Sequence, residues 1–75
     1  MKEHDRVVLR ADFPANRLQA GDVGTIIHVY PDANACEVEF VELNGSTVAV
    51  ATVRLEDIRP VRDGEIAHAR FVAMA

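Results

Sequence analysis

From Ala35 to Val41 the chain alternates Cys36, Val38 and Phe40 with Glu37 and Glu39, and shortly afterwards it reads Asn44-Gly45. Strict period-two alternation puts three apolar side chains on one face of a strand and two carboxylates on the other. Asn-Gly is the strongest short-range hairpin signal, because both residues tolerate left-handed backbone. A strand entering such a turn requires a return strand, and Thr47 to Val53 supplies one rich in β-branched residues. In it Val48 and Val50 share one face and Ala49, Ala51 and Val53 the other, so neither face is polar. A strand apolar on both sides needs cover on both sides, either from tight curvature or from a partner.

The rest of the chain extends this sheet. Asp5 to Arg10 is read as a first strand, with Val7 and Leu9 on an apolar face opposite Arg6, Val8 and Arg10. Ala11 to Asp22 holds Asp12, Pro14, Asn16, Gln19 and Gly21, the composition of an irregular loop, and is long for so small a domain. Loops of that length are commonly binding loops or compact excursions. Val23 to Tyr30 is a second strand, entered through Gly21 and Gly24, which suit a sharp turn and a close approach, and ended by Pro31-Asp32. Leu55 to Ile58 fits a single 3-10 turn dropping two apolar side chains inward. Ile58 to Val61 is a short fifth strand in which Pro60 requires an edge position. Asp63-Gly64 then breaks the chain, and Glu65 to Ala75, with Ile66, Phe71, Val72 and Met74, has no decisive period.

With 75 residues there is room for one domain, which buries only about 60% of the surface its unfolded chain exposes. The single cysteine, Cys36, excludes an internal disulfide. No amino-terminal secretion signal and no apolar run near the length of a membrane span is read, so a cytoplasmic chain without membrane contact is expected. Twelve acidic against eight basic residues give a formal charge of −4, a balance that repels phosphate backbones and argues against nucleic acid as partner. Arg54, Arg59 and Arg62 lie close together and are read as a solvated edge rather than an anion site.

Gly-Asp-Val-Gly-Thr-Ile-Ile at 21 to 27, Glu-Val-Glu-Phe at 37 to 40 and Leu55 through Ile58, in that order after a short strand and a long loop, resemble a set of short bacterial proteins of unknown function with an SH3-like barrel. Similar architecture occurs in the small barrel of the nitrile hydratase β subunit and in KOW modules, from which this chain departs by its acidity and its lack of a basic loop. The resemblance covers roughly residues 5 to 61. It implies a mainly β fold: a five-stranded SH3-like barrel over 1–61 with a long first loop, one 3-10 turn and a C-terminal extension over 62–75. In that barrel Cys36, Val38 and Phe40 are expected to share the interior with Ile27, Val29 and Leu55.

No residue set supports catalysis. His4, His28 and His68 lack partners at ligand spacing, so no metal and no cofactor is expected. His28 is the one histidine placed to approach Cys36 or Glu37, and it is read as a surface or edge residue. Cys36, inward in a strand, reads as a small apolar group with a raised pKa. Ser46 has no positioned base, and Asn44-Gly45-Ser46 is explained by its turn rather than by glycosylation.

The expectation is therefore a non-enzymatic interaction module that forms homo-oligomers. Its contacts are assigned to Val48, Val50 and Val53 of the fourth strand and to Ile66, Phe71 and Val72 of the tail. The alternative is a regulatory, antitoxin-like partner of one protein encoded nearby, binding a peptide or small ligand through loop 11–22 and Tyr30. Phe13, Pro14, Arg17 and Tyr30 are its candidate binding residues.

Overall fold

The computed structural model describes residues 1–72; Met74 and the rest of the expected tail segment at 73–75 lie outside the described residues. Five strands follow in chain order: β1 (Arg6–Leu9), β2 (Val23–Tyr30), β3 (Ala35–Val41), β4 (Thr47–Arg54) and β5 (Ile58–Pro60). Single 3-10 turns occupy Pro14–Asn16, Pro31–Ala33 and Leu55–Asp57. All pairings are antiparallel, and the strand order is β4-β3-β2-β1-β5. The sheet is open: β4 and β5 are its two edges, and among the described residues no ladder joins them. The fold is thus mainly β, and the closed barrel expected from the sequence is not formed by hydrogen bonds. Pro60, which cannot donate to a ladder, sits in the edge strand β5 opposite Val7.

One core holds the sheet. Val7 and Leu9 of β1, Ile26 of β2, Cys36, Val38 and Phe40 of β3, Ala51 and Val53 of β4, Ile58 of β5 and Leu18 of the first loop form a single buried cluster. Contributions from every strand to one cluster mean that the sheet curls around its own concave face. The β3–β4 register confirms the period-two logic: Cys36 lies opposite Val53, Val38 opposite Ala51 and Phe40 opposite Ala49, while Glu37 and Glu39 face Thr52 and Val50 on the outer side. Glu37 accepts a hydrogen bond from the Thr52 hydroxyl, and Glu39 one from Thr47 at 2.9 Å. The Asn-Gly turn closes with Glu42 and Ser46 bonded across it at 2.7 Å.

Three expectations need correction. Ile27 is not interior but 41% exposed, and Ile26 is fully buried in its place. The reason is a β-bulge: Ile26 pairs with Val38 and His28 with Glu37, so Ile27 is an extra residue without a partner on β3. The inward parity of β2 changes there, from Gly24 and Ile26 before the bulge to Val29 after it. Val29 and Leu55 are half-buried against the core rather than inside it. Val8, read as part of a polar face, is buried as well; its cross-strand partners on that face are Val23 and Arg59.

Gly24 is where β2 passes closest to β3. A Cβ there would stand 2.5 Å from Val38 Cγ1, 2.8 Å from Phe40 Cε1 and 2.9 Å from the Glu39 carbonyl oxygen. Only a residue without a side chain permits that approach.

Candidate functional site

The long first loop is a compact excursion built on its own backbone. Phe13 and Leu18 exchange N–H···O bonds of 2.9 and 3.1 Å around the Pro14–Asn16 turn, and Arg17 completes it in left-handed backbone at φ 61°. Leu18 enters the core and Phe13 packs half-buried against it, which anchors the loop from below. The loop's carboxylates are used internally: Asp12 accepts from the Ala20 N–H at 2.9 Å and Asp22 from the Gln19 N–H at 2.8 Å. The Pro14–Asn16 turn lies against β4.

The tail returns to this loop. After β5 the chain turns at 62–65, with the Arg62 N–H donating to the Glu65 carboxylate at 2.6 Å and Gly64 at φ +87°. Arg59 then forks onto Glu65, Nη1 to Oε1 at 2.9 Å and Nη2 to Oε2 at 2.6 Å. Farther along, Arg70 forks onto Asp22, Nε to Oδ1 at 2.8 Å and Nη2 to Oδ2 at 2.5 Å, and the same Nη2 donates to the Arg17 carbonyl at 3.1 Å. The left-handed conformation at Arg17 and the Gln19 bond to Asp22 hold these acceptors in place. Bidentate pairing of this kind matches the planar guanidinium to a carboxylate. Arg59 is on β5 and Asp22 at the entry to β2, so the tail is tied to both strands that flank β1.

The electrostatics follow from those contacts. Hydrogen bonding to Arg59, and then to the Arg62 N–H, lowers the Glu65 carboxyl to about 2. Partial burial pushes the Asp22 carboxyl up, but the Arg70 fork and the Gln19 N–H outweigh it, and the net is a carboxyl below its ordinary range. Burial, then the neighbouring charge of Glu37, raises the Cys36 thiol.

The structure separates the residues singled out by the sequence. Phe13 is turned to the core, Pro14 and Arg17 are exposed, and Tyr30 lies elsewhere, edge-on to His28 with ring centroids 4.6 Å apart. A shallow hollow beside Tyr30 is lined by residues 28–33, with none of Phe13, Pro14 and Arg17 among them. Of the expected contact residues, Val53 is 1% exposed and belongs to the chain's own core, opposite Cys36, so it is unavailable to a partner. Val48 is half-buried against the core beside the register shift at Phe40, and Val72 is half-buried. Val50 is 47% exposed, Ile66 91% and Phe71 98%. Arg54 and Arg59 are occupied by Glu56 and Glu65 respectively.

Asp22, Arg59, Glu65 and Arg70 organise the site, and the Asp22–Arg70 pairing carried no sequence signal. Arg59 and Glu65 flank the Asp63-Gly64 turn, which is the one local hint. Among the described residues no group of three His, Cys, Asp or Glu is placed to hold a metal, and no helix is long and apolar enough to cross a membrane.

Comparison with curated proteins finds no match, and comparison with solved structures finds none. The profile of the family described as Domain of unknown function (DUF4926) matches residues 3–60, from just before β1 to the end of β5, and the chain belongs to that family.

Proposed function

We propose that this chain is a non-enzymatic interaction module that self-associates through the β4 edge and the tail. The observation that carries this reading is the state of Ile66 and Phe71, almost wholly in water on a segment tied down at both ends by ion pairs. A tail docked for its own burial would turn those side chains inward. Held outward, they offer apolar area that stabilises a contact by about 25 cal/mol per Å² covered. The β4 edge adds a row of backbone groups without a neighbouring strand, the usual template for pairing with another chain, with Val50 exposed beside it. Loop and tail connect these surfaces, since Arg70 binds the Arg17 carbonyl and the Pro14–Asn16 turn lies against β4.

The strand order, the long first loop and the 3-10 turn before β5 support reading the curled sheet as an SH3-like barrel. Self-association is favoured over ligand binding at loop 11–22 because Phe13 is spent on the core and both loop carboxylates on internal N–H groups.

Sedimentation equilibrium of the 75-residue chain tests the reading. The wild-type chain should shift from one copy toward two as concentration rises, and Val50→Asp and Phe71→Ser should each weaken that shift. A wild-type chain that remains a single copy at millimolar concentration overturns it.

A further inference from the structure

We infer that Asp22 and the Arg17 carbonyl form a guanidinium cradle whose occupant in the assembled protein is Arg70 of a second copy, the tails being exchanged between two chains. The inference rests on the self-association proposed above and names its chemistry.

The cradle is held by contacts within its own loop. Gln19 orients the Asp22 carboxylate through its N–H, and the left-handed backbone at Arg17 belongs to a turn anchored by Phe13 and Leu18. Its ligand is visible: a guanidinium meeting two carboxylate oxygens and one carbonyl. Nothing in those three contacts depends on whether the arginine belongs to the same chain. The polar contacts of the docked tail are therefore equal within one chain and between two.

Two further features favour exchange. The docked tail leaves Ile66 and Phe71 uncovered within one chain, and bringing a second body alongside supplies surface to cover them. The turn at 62–65 is kept in the exchange, with Glu65 held by Arg59 and the Arg62 N–H; the hinge is the stretch 66–69, which makes no hydrogen bond to the other described residues. When that stretch straightens, residues 65–70 reach about 20 Å at ~3.3 Å per residue, comparable to the shortest of the 34 × 31 × 21 Å extents of the molecule. Exchange of an identical element across such a hinge is a low-cost route to a dimer.

Charge reversal tests the exchange directly. Asp22→Arg in the 75-residue chain sets two cations against each other within one chain, and Arg70→Asp sets two anions. Mixed, each cradle meets the complementary tail of the other variant. The mixture should form a one-to-one dimer at least tenfold more tightly than either variant alone by sedimentation equilibrium; a mixture no tighter than its components overturns the inference. Isotope-filtered NMR on mixed labelled and unlabelled wild-type chains gives a second reading that needs no variant to fold. Contacts from Arg70 of one copy to Gln19 and Asp22 of the other are expected. A dimer whose Arg70 contacts are all within one chain overturns the exchange and leaves self-association standing, and a chain that stays monomeric overturns both.

Discussion

Arg70 reaches back 48 residues to place its guanidinium against both carboxylate oxygens of Asp22, at the entry to β2. This contact, with Arg59 and Glu65, makes the tail part of the folded body although the β-sheet ends at Pro60. Both ion pairs are partly covered, whereas residues 66–69 between them are exposed, so charge rather than apolar burial holds the segment.

Arg70→Ala should therefore free the tail without unfolding the sheet. Backbone amide NMR order parameters at 66–72 are expected to fall to those of a flexible chain, below about 0.6, while those of β2 and β3 stay at rigid values. Raising salt to about 1 M, where charges are screened beyond roughly 3 Å, should move the wild-type tail in the same direction.

The acid response follows from Glu65. Its carboxyl is lowered in the folded protein from 4.5 to about 2. A lowered folded value means stability that is present above the unfolded value and lost as pH falls through the folded one. Tail docking should thus be constant above about pH 5, weaken as pH drops below 4.5 and be lost near 2. An NMR titration of the Glu65 carboxyl should give its midpoint near 2, and Arg59→Gln should return that midpoint toward the ordinary value.

Gly24→Ala should destabilise the sheet by about 1–3 kcal/mol, the usual penalty for overpacking a core. The added methyl would lie 2.5 Å from Val38 Cγ1 and 2.9 Å from the Glu39 carbonyl, and backbone cannot give way as a flexible side chain does. Urea unfolding measures the loss.

Two valines of β4 should behave oppositely. Val53→Ala removes two buried carbons and leaves a cavity, costing about 2 kcal/mol in urea unfolding. Val50→Ala, half in water, should change stability by less than about 0.5 kcal/mol and show its effect in self-association instead.

Cys36 should resist thiol reagents in the native state. It is fully buried and its thiol is raised, so little thiolate is present at neutral pH. Modification by an aromatic disulfide should proceed only at the rate of unfolding, and should accelerate in urea.

Local pattern was enough to determine the strands. The alternation at Cys36, Val38 and Phe40, the Asn44-Gly45 turn and the β-branched run from Val23 carry their structure in neighbouring residues, because strand periodicity and turn backbone are local properties. The edge position of Pro60 was legible for the same reason, since its missing donor excludes a central strand. Tertiary structure alone decided which isoleucine is inside, because the bulge at Ile27 is a mismatch between two strands and neither strand encodes it by itself. It also decided that Val53 serves the chain's own core and that Val8 is covered. Above all it brought Arg70 to Asp22: ion pairing has no period, and two charges far apart in sequence become partners only when the fold places them within reach.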